Sequence, residues 1–206
     1  GVGLVGSEMC IRDSSKEDLS IRERFNKVFQ EKIDLRFEAT VSKVRQGSNG
    51  IRLNFEDETL DLLEVDELLL ATGRLPDLDS LKIRAANIAT TDGYIVTDQY
   101  MRTTADNIWA LGDVTNPAQL KHTANAEAKI VSHNLINKKL IKVDLDPTPH
   151  AIFSNPQVAS VGYTEQDAKA AEIQYVVAVE EYGDVAYGWA MEEKTGICKV
   201  IADPRT

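Results

Sequence analysis

From residue 16 to 32 the apolar side chains Leu19, Phe25, Val28 and Phe29 recur at roughly helical spacing, which predicts an amphipathic helix packed on a sheet. Extended chain is expected next. Ile33 to Phe37 opens it, and VSKVRQ (41–46) and IRLNF (51–55), joined by Ser48, Asn49 and Gly50, predict a hairpin whose Asn-Gly pair can take positive φ. After a turn at 56–58 comes VDELLLATG, where the continuous apolar run from Leu68 to Ala71 predicts a buried strand.

Beyond Pro76 the periodicity weakens, leaving two short predicted strands at 94–97 (YIVT) and 107–111 (NIWAL). A helix is expected from about Pro117, with Leu120, Ala124, Ala128, Val131 and Leu135 as its apolar row. Pro147 and Pro149 then mark a boundary. Past it, AIFSNPQVASVGY, a helix from Thr164 and the strands IQYVVAV and GICKVIA read as a separate α/β unit. The fold class is therefore mixed α/β and α+β.

Composition narrows the partners rather than the fold. The chain has 206 residues, 43% of them hydrophobic and 27% charged, which is the usage of a folded, soluble protein. Its formal charge of −10 argues against nucleic acid and anionic membrane as partners. No apolar run has the length of a membrane span, and residues 1–15 lack the zones of a signal peptide. Two cysteines, Cys10 and Cys198, are too few for a disulfide framework or a metal knuckle, so a reducing, cytoplasmic setting is expected.

Two strand ends carry most of the chemistry. One is ELLLATGR, ending in Thr72, Gly73 and Arg74; the other is NIWALGDVTNPAQLKHTANAEA, where Gly112-Asp113 leads into a helix. In open α/β sheets ligands collect outside the carboxyl ends of strands, and glycine there admits close backbone approach. An Asp beside such a glycine can accept hydrogen bonds from ribose-like hydroxyls. A following helix turns its unpaired N–H groups and partial positive charge toward an anionic group.

ELLLATGRLPD followed by TTADNIWALGDVTNPAQLKHTANAEA resembles the pyridine nucleotide-disulfide oxidoreductases, a flavoenzyme family. Within it, LKHTANAEAKIVSHNL, IFSNPQVASVGYTEQDA and YGDVAYGWAMEEKTG are most similar to the mycothione reductase branch, with dihydrolipoamide dehydrogenase and glutathione reductase-like branches next. The resemblance implies a homodimer that uses FAD and NAD(P)H to reduce a small-molecule disulfide. It implies that 16–75 is part of an NAD(P)H domain with an antiparallel meander, 76–146 an FAD-domain return segment, and 147–206 the start of an interface domain. Asp113 would bind the FAD ribityl chain, with Gly112 allowing close approach, and Gln119, Leu120, Lys121 and His122 would sit beside the flavin pyrimidine edge. Gly73 would lie against the nicotinamide nucleotide and Val41 on its adenine side.

No catalytic residue is assigned. The family's redox cysteines stand four residues apart, and this chain has no C-x-x-x-x-C; its general-acid histidine near the C-terminus is not matched by His122, His133 or His150. Cys198, in a strand, reads as a small apolar residue. The glycines Gly1, Gly3 and Gly6 imitate a dinucleotide loop, but only 12 residues separate Gly6 from Leu19, too few for the helix and strand that should follow. Val5 to Ser14 instead resembles one translated frame of a transposon-type sequencing adapter joined to a truncated gene, so 1–15 is expected to be an artefactual leader without a packed place. The alternative of another class is a non-catalytic FAD-binding or dimerisation module, and the chain alone is expected to be inactive and to expose strand edges and apolar surface.

Overall fold

The computed structural model describes residues 17–37, 39–48 and 50–205. The expectations for the leader and for Asn49 fall outside them. The chain divides into two units: one holds the described residues up to Gly73 and those from Ala151 onward, the other runs from Arg74 to His150.

In the first unit, helix α1 (Leu19–Gln30) forms inside the predicted 16–32 span and starts at Leu19, because Asp18 caps it by accepting the Ser20 N–H. Phe25 and Phe29, one turn apart, stack at 4.4 Å between ring centroids, and Val28 is buried. The expected extended chain at Ile33–Phe37 does not form as a strand; it holds one isolated bridge residue, Leu35. The N–H groups of Lys32 and Ile33 are spent on the Phe29 carbonyl, closing the helix instead of joining a ladder.

Strands β1 (Val41–Gln46), β2 (Ile51–Phe55) and β3 (Leu63–Val65) form the antiparallel meander, in that spatial order. Leu53 and Phe55 alternate with exposed Asn54 and supply its buried face. At Gly50 a Cβ would lie 2.4 Å from the Val65 carbonyl oxygen, so the β2–β3 approach requires glycine. The run after β3 departs from expectation. Leu69 and Leu70 are 81% and 73% exposed and belong to no strand, because no described strand pairs beside them and an apolar run alone buries nothing.

The later part of this unit holds Ala151 and Ile152 of strand β6 (His150–Ile152), its pairing strand β7 (Val158–Ser160), helix α3 (Glu165–Ala170), β8 (Val176–Glu181), α4 (Ala186–Ala190) and β9 (Ile197–Ala202). Thr164 caps α3 through a reciprocal box with Asp167. Strand β8 starts three residues later than IQYVVAV suggests, since the Ile173 N–H closes α3 on the Ala168 carbonyl; it then pairs antiparallel with β9 from Val176↔Ala202 to Glu181↔Ile197. Cys198 lies on the exposed face of β9. Around α4, Tyr187, Trp189 and Met191 are exposed.

One ion cluster fastens α1 to this later part. The Lys199 ammonium, its side chain 5% exposed, donates to Asp18 Oδ1 at 2.6 Å and Glu165 Oε2 at 2.5 Å. Asp18 Oδ2 also accepts the Glu165 N–H at 3.0 Å, so this carboxylate caps α1 and α3 together. Burial pushes the Asp18 carboxyl upward, but the bonds from Lys199, Glu165 and Ser20 outweigh it and hold it at about 2. Arg24 pairs bidentately with Glu181 at 2.5 and 2.8 Å.

The second unit contains the short strands β4 (Thr90–Thr91) and β5 (Tyr94–Ile95), a 3₁₀ turn at Gly112–Val114, and helix α2 (Lys121–Ile136). YIVT forms a strand only at Tyr94–Ile95, and NIWAL reduces to a single bridge between Arg102 and Trp109. Threonine hydroxyls take backbone groups there: Thr103 Oγ1 donates to the Ile108 carbonyl at 2.9 Å, and Thr104 Oγ1 accepts the Ala89 N–H at 2.8 Å. No described helix in either unit is long and apolar enough to cross a membrane.

Candidate functional site

Helix α2 begins at Lys121 rather than near Pro117 because Asn116 claims the preceding amides. Its Oδ1 accepts the Ala118 N–H at 2.8 Å and its carbonyl accepts the Gln119 N–H, leaving Gln119 in a left-handed conformation at φ 50°. Leu120 is the half-buried N-cap, and no side chain caps the first turn, so N–H groups there stay available. Lys121 and His122, both exposed, open that turn; His122 Nε2 lies 2.7 Å from the Pro149 carbonyl oxygen.

Of the apolar row expected on α2, Val131 is buried, and polar residues make up the rest of the buried row. Thr123, Glu127, Val131 and Asn134 face inward, while Leu135 is exposed. The reason is bonding to loop backbone. Asn134 donates to the carbonyls of Tyr100 and Ile141 and accepts the Ile141 N–H, and Glu127 Oε2 accepts the Gly112 N–H at 2.6 Å.

Gly112 is buried in a left-handed conformation, φ 74°, and an added Cβ would lie 3.4 Å from the Ala124 Cβ. The turn displays Asp113, whose side chain is 47% exposed with Oδ2 3.4 Å from Arg74 Nη2. Gln119 Nε2 donates to the Arg74 carbonyl at 3.2 Å, and Arg74, Asp113 and Gln119 help line one open cleft of about 250 Å³.

Of the residues expected from sequence, Gly112, Asp113 and Gln119 come together here, with Leu120, Lys121 and His122 following directly on the helix. Gly73 (φ 96°) and Val41, at the start of β1, belong to the other unit. Two contributors escaped the reading of candidate residues. Arg74 was visible as the letter after Gly73, and Glu127 only as a polar residue spaced four from Thr123 and Val131. Among the described residues no group of three or more His, Cys, Asp or Glu could hold a metal ion.

An aspartate on a left-handed glycine turn, an adjacent arginine and an uncapped helix start can receive a hydroxylated, anionic ligand. A family model described as pyridine nucleotide-disulphide oxidoreductase matches residues 8–129, and one described as the dimerisation domain of that group matches 148–206. Mycothione reductase of Mycobacterium tuberculosis is 40% identical over 191 residues, covering 90% of this chain and 41% of that protein. Mercuric reductase of Bacillus cereus is 32% identical over 210 residues, covering 98% and 33% respectively. The structure of the HOCl-induced flavoprotein disulfide reductase RclA from Escherichia coli, as its Cu(II) complex, aligns with a TM-score of 0.83 at 29% identity, covering 93% of this chain and 44% of that one. This chain thus spans less than half the length of each.

Proposed function

The chain belongs to the pyridine nucleotide-disulphide oxidoreductase family, and from that premise we propose that it forms part of an FAD- and NAD(P)H-dependent disulfide reductase of the mycothione reductase type, acting on a low-molecular-weight thiol disulfide. Residues 16–75 serve the NAD(P)H domain, 76–146 the FAD domain and 147–206 the dimerisation domain of a cytoplasmic homodimer. The exposed Tyr187, Trp189 and Met191 side chains offer apolar area to a second copy.

The observation that carries the cofactor reading is Asp113, held out by the left-handed Gly112 turn beside an uncapped helix start. The residues fit the group. Asp113 would accept hydrogen bonds from ribityl hydroxyls, while the backbone N–H groups of the first turn of α2, at Leu120 to His122, would favour negative charge on the flavin pyrimidine edge. Gln119 and Arg74 close one side through their mutual bond. Gly73 serves the nicotinamide nucleotide and Val41 its adenine side. When bound, FAD relays electrons from NAD(P)H toward a disulfide.

Titration of FAD into the chain, followed by flavin fluorescence, tests this reading. Weak binding is expected, and Asp113→Ala should abolish it; undiminished binding by the variant would remove Asp113 from the site. No NAD(P)H-dependent disulfide reduction is expected, because Cys10 and Cys198 do not form the four-spaced pair. Turnover by the chain alone would contradict that.

A further inference from the structure

Glu127 is 3% exposed and lies in the second turn of α2, a costly place for a carboxylate unless it is fully used. Its Oε2 takes the Gly112 N–H at 2.6 Å, and the Gly112 carbonyl is held in turn by the Thr115 N–H and the Thr115 hydroxyl, each at 2.9 Å. Both backbone groups of Gly112 are therefore fixed. The same helix approaches the turn at Ala124, one turn before Glu127, where any Cβ on Gly112 would be in contact.

We infer that Glu127 is a positioning residue: by anchoring the Gly112 N–H it sets the left-handed turn that aims Asp113 outward. The inference rests on the reading of Asp113 as a ribityl acceptor. A carboxylate suits the task better than an amide, since it only accepts hydrogen bonds and cannot flip to oppose the N–H with a donor, and the charge strengthens the bond.

The full chain is used for the test. Amide hydrogen exchange at Gly112, read by nuclear magnetic resonance, should be slow in the wild type and faster by roughly tenfold to a hundredfold in Glu127→Ala, as expected for loss of a hydrogen bond to a charged group. Glu127→Gln, which keeps an acceptor, should restore most of the protection. FAD affinity should fall in Glu127→Ala, while Asp113→Ala/Glu127→Ala should be no weaker than Asp113→Ala alone. Unchanged Gly112 exchange in Glu127→Ala overturns the inference, as does a Glu127→Ala loss that adds fully to that of Asp113→Ala. If the wild type takes up no FAD, the cofactor reading of Asp113 fails, and Gly112 exchange still decides whether Glu127 holds the turn. If Glu127→Ala loses its helical circular dichroism, Glu127→Gln carries the test: retained Gly112 protection supports the acceptor role, and lost protection with the fold intact overturns it.

Discussion

Replacing Lys199 with methionine removes the cation shared by Asp18 and Glu165 while keeping an unbranched side chain of similar reach. Breaking one side of a buried pair typically costs about 3–5 kcal/mol. Here Asp18 keeps its bonds from the Ser20 N–H and hydroxyl and from the Glu165 N–H, and Glu165 keeps Tyr175. The expected loss is therefore smaller, about 2–4 kcal/mol at pH 7, read from urea unfolding followed by circular dichroism. The pH dependence is more diagnostic. Asp18 titrates at 3.8 unfolded and about 2 folded, so the unfolded chain binds the proton first as pH falls. Its contribution is present above pH 4 and disappears toward pH 2; at about 1.36 kcal/mol per pH unit this amounts to roughly 2 kcal/mol. Glu165, lowered first by Lys199 and then by Tyr175, adds to the same acid-side loss. Burial pulls the Lys199 ammonium down, yet Asp18 and Glu165 raise it overall, so its contribution is kept below its ordinary 10.5 and lost only at higher pH. Glu193, held at about 2 by the Thr195 hydroxyl and the N–H groups of Thr195 and Gly196, titrates alike in both proteins and cancels in the difference. A Lys199→Met variant within about 0.5 kcal/mol of wild type at pH 7, or one with the same acid slope, would refute this account.

Other substitutions separate backbone constraint from surface charge. In Gly188→Ala the new Cβ would fall 1.7 Å from the Tyr182 carbonyl oxygen, so α4 or the turn before it must shift; a loss above about 2 kcal/mol in thermal unfolding is expected. By contrast, Arg24→Ala should cost no more than about 1 kcal/mol and less in high salt, because its bidentate bridge to Glu181 is partly exposed, at 32% and 43% for the two side chains.

Hydropathy was legible where it met local geometry. The period of α1, the hairpin of VSKVRQ and IRLNF, and the helix expected from Thr164 each name an element that forms. It failed where partners decide the outcome. Leu68 to Ala71 carries the signature of a buried strand but has no described neighbour in a sheet, and in NIWAL the Thr103 hydroxyl takes the Ile108 carbonyl, leaving a single bridge at Trp109. On α2 the apolar row points to Leu135, while burial follows Glu127 and Asn134, whose value lies in bonding to distant loop carbonyls and amides. The Gly112-Asp113 pair was readable because glycine has a conformational reason to stand there. Glu127 was not, since nothing local marks an acidic residue as the acceptor for an amide 15 positions away.

Asp18, the cap of α1, also accepts the N–H of Glu165 at the start of α3, 147 positions away in sequence. Closing a chain segment of that length costs about 4 kcal/mol in entropy beyond a constant term, and the whole second unit lies within it. Helix α3, only six residues long, can draw on its local Thr164–Asp167 box during early folding, whereas the bond from Asp18 waits for the two ends of the first unit to meet. Order of formation follows from this: α1 and the meander can assemble from neighbouring sequence, and the Asp18–Glu165–Lys199 junction records a later, long-range closure that reaches 181 positions from Asp18 to Lys199.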